Sequence, residues 1–173
     1  MLHQESLINY EVYLGDNAER LLGTASAEFG DLEFLSSEIK GAGIGGSYEN
    51  PVVGHIKAPE VTLNWRTLFT EPVRLLSPNA RKLSLRAAIQ RYDSGNGTLK
   101  ILPVKIDVRA RMKSSSLGKF EPGEQTETKT VLICDYLKIT IDNVERFEYD
   151  CFNFIYKVYG DDLLADVRTA LGL

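Results

Sequence analysis

The sequence predicts a mainly β protein, a sandwich or small barrel of two packed antiparallel sheets with one or two short α-helices. Three observations lead there. Long stretches alternate apolar and polar residues with a period of two. Clusters of glycine and asparagine punctuate them. Only two segments carry helical spacing, and both are short.

Taken in order, strands are expected over residues 7–14, 20–29 and 32–40. A long glycine-rich loop follows over 41–58. Within 60–66, Val61, Leu63 and Trp65 share one face and Glu60, Thr62, Asn64 and Arg66 the other, so the first set belongs in a core. That phase makes Trp65, the single tryptophan, a packing residue and not a stacking platform for a base. Residues 71–76 allow at most two helical turns before Ser77-Pro78 stops them. Over 82–92, Leu83, Leu85, Ala87 and Ile89 oppose Ser84, Arg86, Ala88 and Gln90. Over 102–112, the apolar residues from Leu102 to Met112 oppose Pro103, Lys105, Asp107, Arg109 and Arg111. Asp93-Ser94-Gly95-Asn96-Gly97 joins these two strands as a hairpin tip. A second loop is expected over 113–124, then strands over 126–142 and 146–156. Residues 161–171 read as a terminal helix. Acids at its start suit the helix dipole, Leu163, Leu164, Val167, Ala170 and Leu171 form one stripe, and Gly172 follows as a stop. With no internal repeat or low-complexity stretch, residues 1–173 read as a single domain.

A chain of 173 residues can bury about 70% of its unfolded surface and needs no staples. The net charge of −4 argues against a surface that grips nucleic acid through phosphates, which needs concentrated Lys and Arg. It leaves room for a duct through which DNA slides. The two cysteines, Cys134 and Cys151, are too few for a disulfide scaffold and both sit in apolar runs, so buried free thiols are expected. The first residues lack the basic-then-apolar order of a signal peptide. No apolar stretch approaches the ~18 residues needed to cross a bilayer. Manufacture and use in a cytoplasm, or exit from it inside a larger particle, is expected.

Several motifs invite a chemical reading and fail it. Gly41-Ala42-Gly43-Ile44-Gly45-Gly46 matches the dinucleotide pattern G-x-G-x-x-G, but Asn50, Pro51 and Gly54 follow where a helix must begin. Ser116-Leu117-Gly118-Lys119 matches S-x-x-K but lies in a loop, with no helix to bring the lysine back. Asn96-Gly97-Thr98 is a formal glycosylation sequon that its turn role explains. His3 and His55 are far apart and unpaired with cysteine at ligand spacing. Asp161-Asp162 fits a helix start better than an acid–base pair. No catalytic, cofactor or metal site is assigned, and the chain is not expected to be an enzyme.

The last third is the most informative. Tyr136-Leu137-Lys138-Ile139-Thr140-Ile141-Asp142-Asn143, then residues 150–160, then 161–172, read strand, turn, strand, short helix. This ending, with the block from the Gly41–Gly46 loop to the Glu60-Val61-Thr62-Leu63-Asn64-Trp65-Arg66 strand and the block Leu83-Ser84-Leu85-Arg86-Ala87-Ala88-Ile89-Gln90-Arg91-Tyr92-Asp93, resembles the major tail tube proteins of contractile-tailed bacteriophages, a family that also forms the tubes of R-type bacteriocins. The resemblance covers residues 7–172. Where the family's tight turn carries glycine after Ile-Asp, this chain has Asn143, which tolerates the left-handed conformation.

The resemblance implies a tail-tube fold shared with the type VI secretion tube, and a subunit that closes into a homohexameric ring. The rings stack with a twist into the hollow inner tube of a virion tail or phage-tail-like particle, assembled in the bacterial host cytoplasm. That tube is the conduit for DNA ejection and the core around which the sheath contracts. DNA passes through the lumen without specific binding. The implied partners are the same protein, the sheath, the tape-measure protein, and the baseplate and terminator proteins. The alternative is the tube of a type VI secretion-like effector delivery system. Independent physical support comes from the long strands: their edges would pair indiscriminately in a lone sandwich, and ring closure satisfies them.

Three sets of residues are expected to serve assembly. The loop over 41–54, with Gly41, Gly43, Gly45 and Gly46 and the apolar Tyr48, Val52 and Val53, reaches the next ring. Glu60, Thr62 and Asn64, with Glu38, face the lumen as a polar, net acidic wall. Leu163, Leu164 and Val167 pack the terminal helix on its own domain or on a neighbour.

Overall fold

The computed structural model describes residues 1–17, 19–20 and 23–173. Its elements in chain order are β1 (Leu2–Leu14), β2 (Glu19–Arg20), β3 (Thr24–Phe29), β4 (Phe34–Ile39), β5 (Tyr48–Ile56), β6 (Glu60–Trp65), α1 (Thr70–Arg74), β7 (Arg81–Asp93), β8 (Thr98–Ser116), β9 (Lys129–Ile141), β10 (Val144–Asp150), β11 (Ile155–Val158), β12 (Asp161–Asp162) and α2 (Ala165–Leu171). All strand pairs are antiparallel.

The large sheet runs β12-β11-β10-β9-β8-β7-β1-β2 and branches at β9. One edge of β9 pairs with β8 along most of its length. The other edge is divided between β6 over its first residues and β10 over its last. β3 extends the β6 branch. This branch folds back over the main layer, so Val61, Leu63, Ala27 and Phe29 face Val12, Leu83, Leu85, Ile106 and Val108. The two layers of the sandwich are thus halves of one branched sheet, with no closed barrel in the subunit. β4 and β5 form a separate two-stranded hairpin.

The expected alternation places the core. Val61, Leu63 and Trp65 are buried while Glu60, Thr62 and Asn64 are half-exposed. The Trp65 indole Nε1 donates to the buried Thr130 Oγ1 at 3.1 Å, and its ring meets Phe69 edge-on with centroids 6.2 Å apart. Residues 94–97 make the tip between β7 and β8, where Gly95 N donates to Asp93 Oδ1 at 3.1 Å. Asp142 and Asn143 both take positive φ, 55° and 61°. With Ile141 paired to Val144 across them, they form the two-residue turn whose twist suits a hairpin.

Five expectations need correction. The loop expected over 41–58 is mostly strand from Tyr48, because β5 finds its hydrogen-bond partner in adjacent β4. The strand expected over 146–156 is broken at 151–154. There the Asp150 carboxylate accepts from Phe152 N and Asn153 N at 3.0 and 3.1 Å and closes a turn. The terminal helix starts only at Ala165, since Asp161 and Asp162 pair with Val158 and Lys157 as β12. The loop expected over 113–124 is strand up to Ser116. The strand expected over 20–29 is two strands, with Leu21 and Leu22 outside the described residues.

Candidate assembly surfaces

The β4–β5 hairpin is an arm anchored only at its base. Lys57 N donates to Glu33 O at 2.9 Å, Ile56 is buried, and the Phe34 ring lies 5.7 Å from that of Tyr156. Gly54, at φ +75°, presses on Leu164: a Cβ there would sit 2.6 Å from both Leu164 δ-carbons. Glycine is therefore required for this close approach. Beyond the base, Leu35, Ile39, Ile44, Tyr48 and Val53 are all exposed. Gly41, Gly43, Gly45 and Gly46 lie in the bend at the tip, where a Cβ at any of them would meet open space. Val52 is half-exposed.

The polar set divides. Thr62 and Asn64 stand on β6 beside Ser26 and Glu28 of β3, and Asn64 Nδ2 donates to Ser26 Oγ and to Glu28 Oε1, both at 2.7 Å. Glu60 is on the same face but is ion-paired with Lys113, and Lys129 lies across from Asn64. The face is polar without the net acidity expected of it, because lysines of β8 and β9 enter it. Glu38 is not part of it. It sits on the arm, 3.3 Å from Lys40 Nζ, since β4 belongs to the separate hairpin.

Of the terminal stripe, Leu164 alone is buried; Leu163 and Val167 are exposed. Leu163 faces solvent from the short segment before α2, and Val167 lines an open cavity beside Leu35 and Val53. The segment is held instead by Asp162, whose carboxylate accepts from Arg168 Nη2 at 2.5 Å and from Leu164 N at 3.2 Å. The Arg168 guanidinium holds the Asp162 carboxyl below its ordinary range. A depressed folded pKa adds stability above the unfolded value near 3.8, and that stability is lost as pH falls through the folded value. Acidification below about pH 4 should therefore loosen α2 in the wild type, and Asp162→Asn should flatten that part of the pH–stability curve. Identical curves in chemical denaturation would refute the link.

The other face of β7–β10 carries charges that neutralise one another. Arg109 Nε donates to Asp135 Oδ1 at 2.6 Å, Tyr136 and Lys157 both donate to Glu148, and Lys138 pairs with Glu145 at 2.6 Å. A cavity of about 440 Å³ opens on this face, lined by Lys82, Ser84, Arg86, Lys105, Asp107 and Arg109, among others. Ser84 stands opposite Asp107 there, but its buried hydroxyl makes no hydrogen bond, and no imidazole is among the described lining residues. His3 is on β1 and His55 on β5. Among the described residues no three His, Cys, Asp or Glu side chains gather to hold a metal. The S-x-x-K serine, last residue of β8, accepts from Gly118 N, and the G-x-G-x-x-G segment turns at the arm tip. Of the two thiols, expected to be buried, one departs. Cys134 is buried, and burial pushes its pKa up to about 12. Cys151 is exposed, because it stands in the turn after β10 and not in a strand.

Known proteins agree with this architecture. In the curated set, the chain is 29% identical over 140 residues to the tail tube protein of Escherichia phage P2, 78% of each chain. It is 30% identical over 83 residues to the major tail tube protein of Serratia phage KSP20, 47% of this chain and 46% of that one. Among solved structures, the sheath/tube terminator of the extracellular contractile injection system PVC in its extended state superposes with a TM-score of 0.57 at 16% identity, covering 80% of this chain and 97% of that one. The tube-terminating cap of the anti-feeding prophage gives 0.53 at 22% identity, over 76% and 87%. These two show the fold. The model of the family described as Phage tail tube protein FII matches residues 4–172, and the chain belongs to that family.

Proposed function

We propose that this protein is the structural subunit of the inner tail tube, closing into hexameric rings that stack into a hollow conduit for DNA. The observation that carries the reading is unpaired strand edge. Opposite β7, β1 is covered by β2 only at Tyr13 and Leu14, so its edge from Leu2 to Val12 has no partner strand among the described residues. The pairing of β7 with β8 ends at Arg81 and Ala110, and among the described residues the rest of β8 has no partner strand on that side. Such edges template association, and lateral pairing between neighbours joins six sheets into one barrel. A rotation that closes makes the ring, and translation leaves the stack open-ended.

The arm, with Tyr48, Val52 and Val53, reaches the adjacent ring, and the exposed Leu163 and Val167 meet a neighbour. The face of Glu60, Thr62 and Asn64 lines the lumen. Its place is the virion tail, with sheath outside, tape-measure protein inside before DNA, and baseplate and terminator at the ends. The sheath–tube complex of the extracellular contractile injection system PVC in its extended state, similar with a TM-score of 0.54 at 17% identity, supports the sheath as partner. Native mass spectrometry at high protein concentration tests the ring: the reading expects a species of six times the 19.3 kDa chain, and a series with no closed species counts against it. Thr62→Lys with Asn64→Lys is expected to slow DNA ejection while tubes still form. Unchanged ejection kinetics would remove this face from the lumen.

A further inference from the structure

The arm and the terminal segment face each other across an open cavity of about 290 Å³. Leu35, Val53 and Gly54 line it from the arm, and Phe154, Leu164 and Val167 from the other side. Leu35, Val53, Phe154 and Val167 are all exposed, so apolar surface on both walls of one cavity stands in water. A gap of this kind forfeits the contacts that close packing supplies.

The two walls are held differently. The far wall is fixed. The buried Asp150 carboxylate accepts from Phe152 N, Asn153 N and Asn153 Nδ2 at 3.0, 3.1 and 2.8 Å. Arg168 Nη1 donates to Phe154 O at 2.6 Å, and Arg168 Nη2 donates to Asp162 at 2.5 Å. These bonds tie the 151–154 turn to α2. The arm has no comparable tie. Among the described residues, no hydrogen bond or ion pair joins residues 35–55 to the rest of the subunit. Its anchors are apolar: the Phe34 ring beside Tyr156, the buried Ile56, and Gly54 resting on Leu164. Apolar contact is non-directional, so the arm can rock about this base without breaking a hydrogen bond to the body. Rocking toward α2 brings Leu35 and Val53 onto Phe154, Leu164 and Val167 and expels the water between them.

We propose that the arm is a hinged strap, which closes over the terminal segment before stacking and swings out as the next ring docks. This rests on the tube reading given above, in which the arm reaches the adjacent ring, and it adds what holds the arm back until then. In the closed state Val53 and Val167, both placed above at subunit contacts, cover each other. A tube end that binds only the open arm shifts the equilibrium toward it. Subunits then add to existing ends, and free ones do not stack at random.

The test locks the strap. Val53→Cys with Val167→Cys puts thiols at two exposed positions on opposite walls, so the core is undisturbed. Cys151→Ser removes the exposed native thiol, and Cys134 is buried. Unstacked protein in oxidised glutathione is expected to form the intrachain disulfide, read by mass spectrometry, at least about tenfold faster than the same chains in tubes, because the open arm is a minor state only before stacking. The oxidised protein should form rings yet add nothing to preformed tube ends, and reduction should restore addition. Equal rates in the two states overturn the inference and leave the tube reading standing. Oxidised protein that stacks as the reduced protein does has the same consequence. So does the absence of a disulfide in unstacked protein both from this pair and from Leu35→Cys with Phe154→Cys. Reduced protein that forms neither rings nor tubes overturns the tube reading and the strap with it.

Discussion

Trp65→Ala should leave little folded protein. The indole is 1% exposed at the end of β6, where the two layers of the sandwich meet. Truncating a buried tryptophan costs about 3–5 kcal/mol through lost transfer energy and the cavity left behind. The change also strips Thr130 Oγ1, on a fully buried residue, of its indole donor, and an unsatisfied buried group costs about 1–3 kcal/mol more. Against a total stability of about 5–15 kcal/mol, the variant is expected in the insoluble fraction or with a strongly lowered denaturation midpoint. Trp65→Phe should suffer less, since it keeps most of the volume and loses the hydrogen bond. Urea denaturation of the three proteins checks this. A Trp65→Ala midpoint within error of wild type would mean that the layers do not depend on this contact.

The second large effect concerns assembly and not folding. Replacing residues 37–50 by Asn-Gly shortens the arm to the rung between Ser36 and Pro51, and an Asn-Gly pair suits a two-residue hairpin turn. The anchoring contacts of Phe34, Gly54 and Ile56 remain. Monomer stability should change little, because the removed residues are exposed along nearly their whole length. Rings are expected to persist while stacked tubes disappear from sedimentation. A shortened-arm protein that still makes tubes of normal length would take the arm out of the ring-to-ring contact. The deletion has to respect β5: cutting 43–53 would remove most of that strand and leave Ser36, Ser37, Glu38 and Ile39 without their partners.

What could be read from the sequence follows the range of the forces involved. The phase of Val61, Leu63 and Trp65 was legible because strand alternation is a local, two-residue property. The Asp142-Asn143 turn was legible because few residue types accept positive φ. β5 was hidden by Pro51 and Gly54, which look like breakers; the first sits on an edge strand and the second is needed for the approach of Leu164. The break at 151–154 was masked by Phe152 and Phe154, which continue an apolar alternation. Its signal was Asp150 three residues before Asn153, a side-chain-capped turn. Glu38 was grouped with Glu60 because polarity alone does not reveal which sheet a strand joins.

The central claim is that this subunit exists to build a hollow tube, and electron microscopy of the purified protein at high concentration, with preformed tube ends or baseplates added as initiators, tests it most directly. The account predicts hollow rings and stacked tubes with six-fold end views. A protein that stays monomeric by light scattering, and adds nothing to those ends, would contradict it.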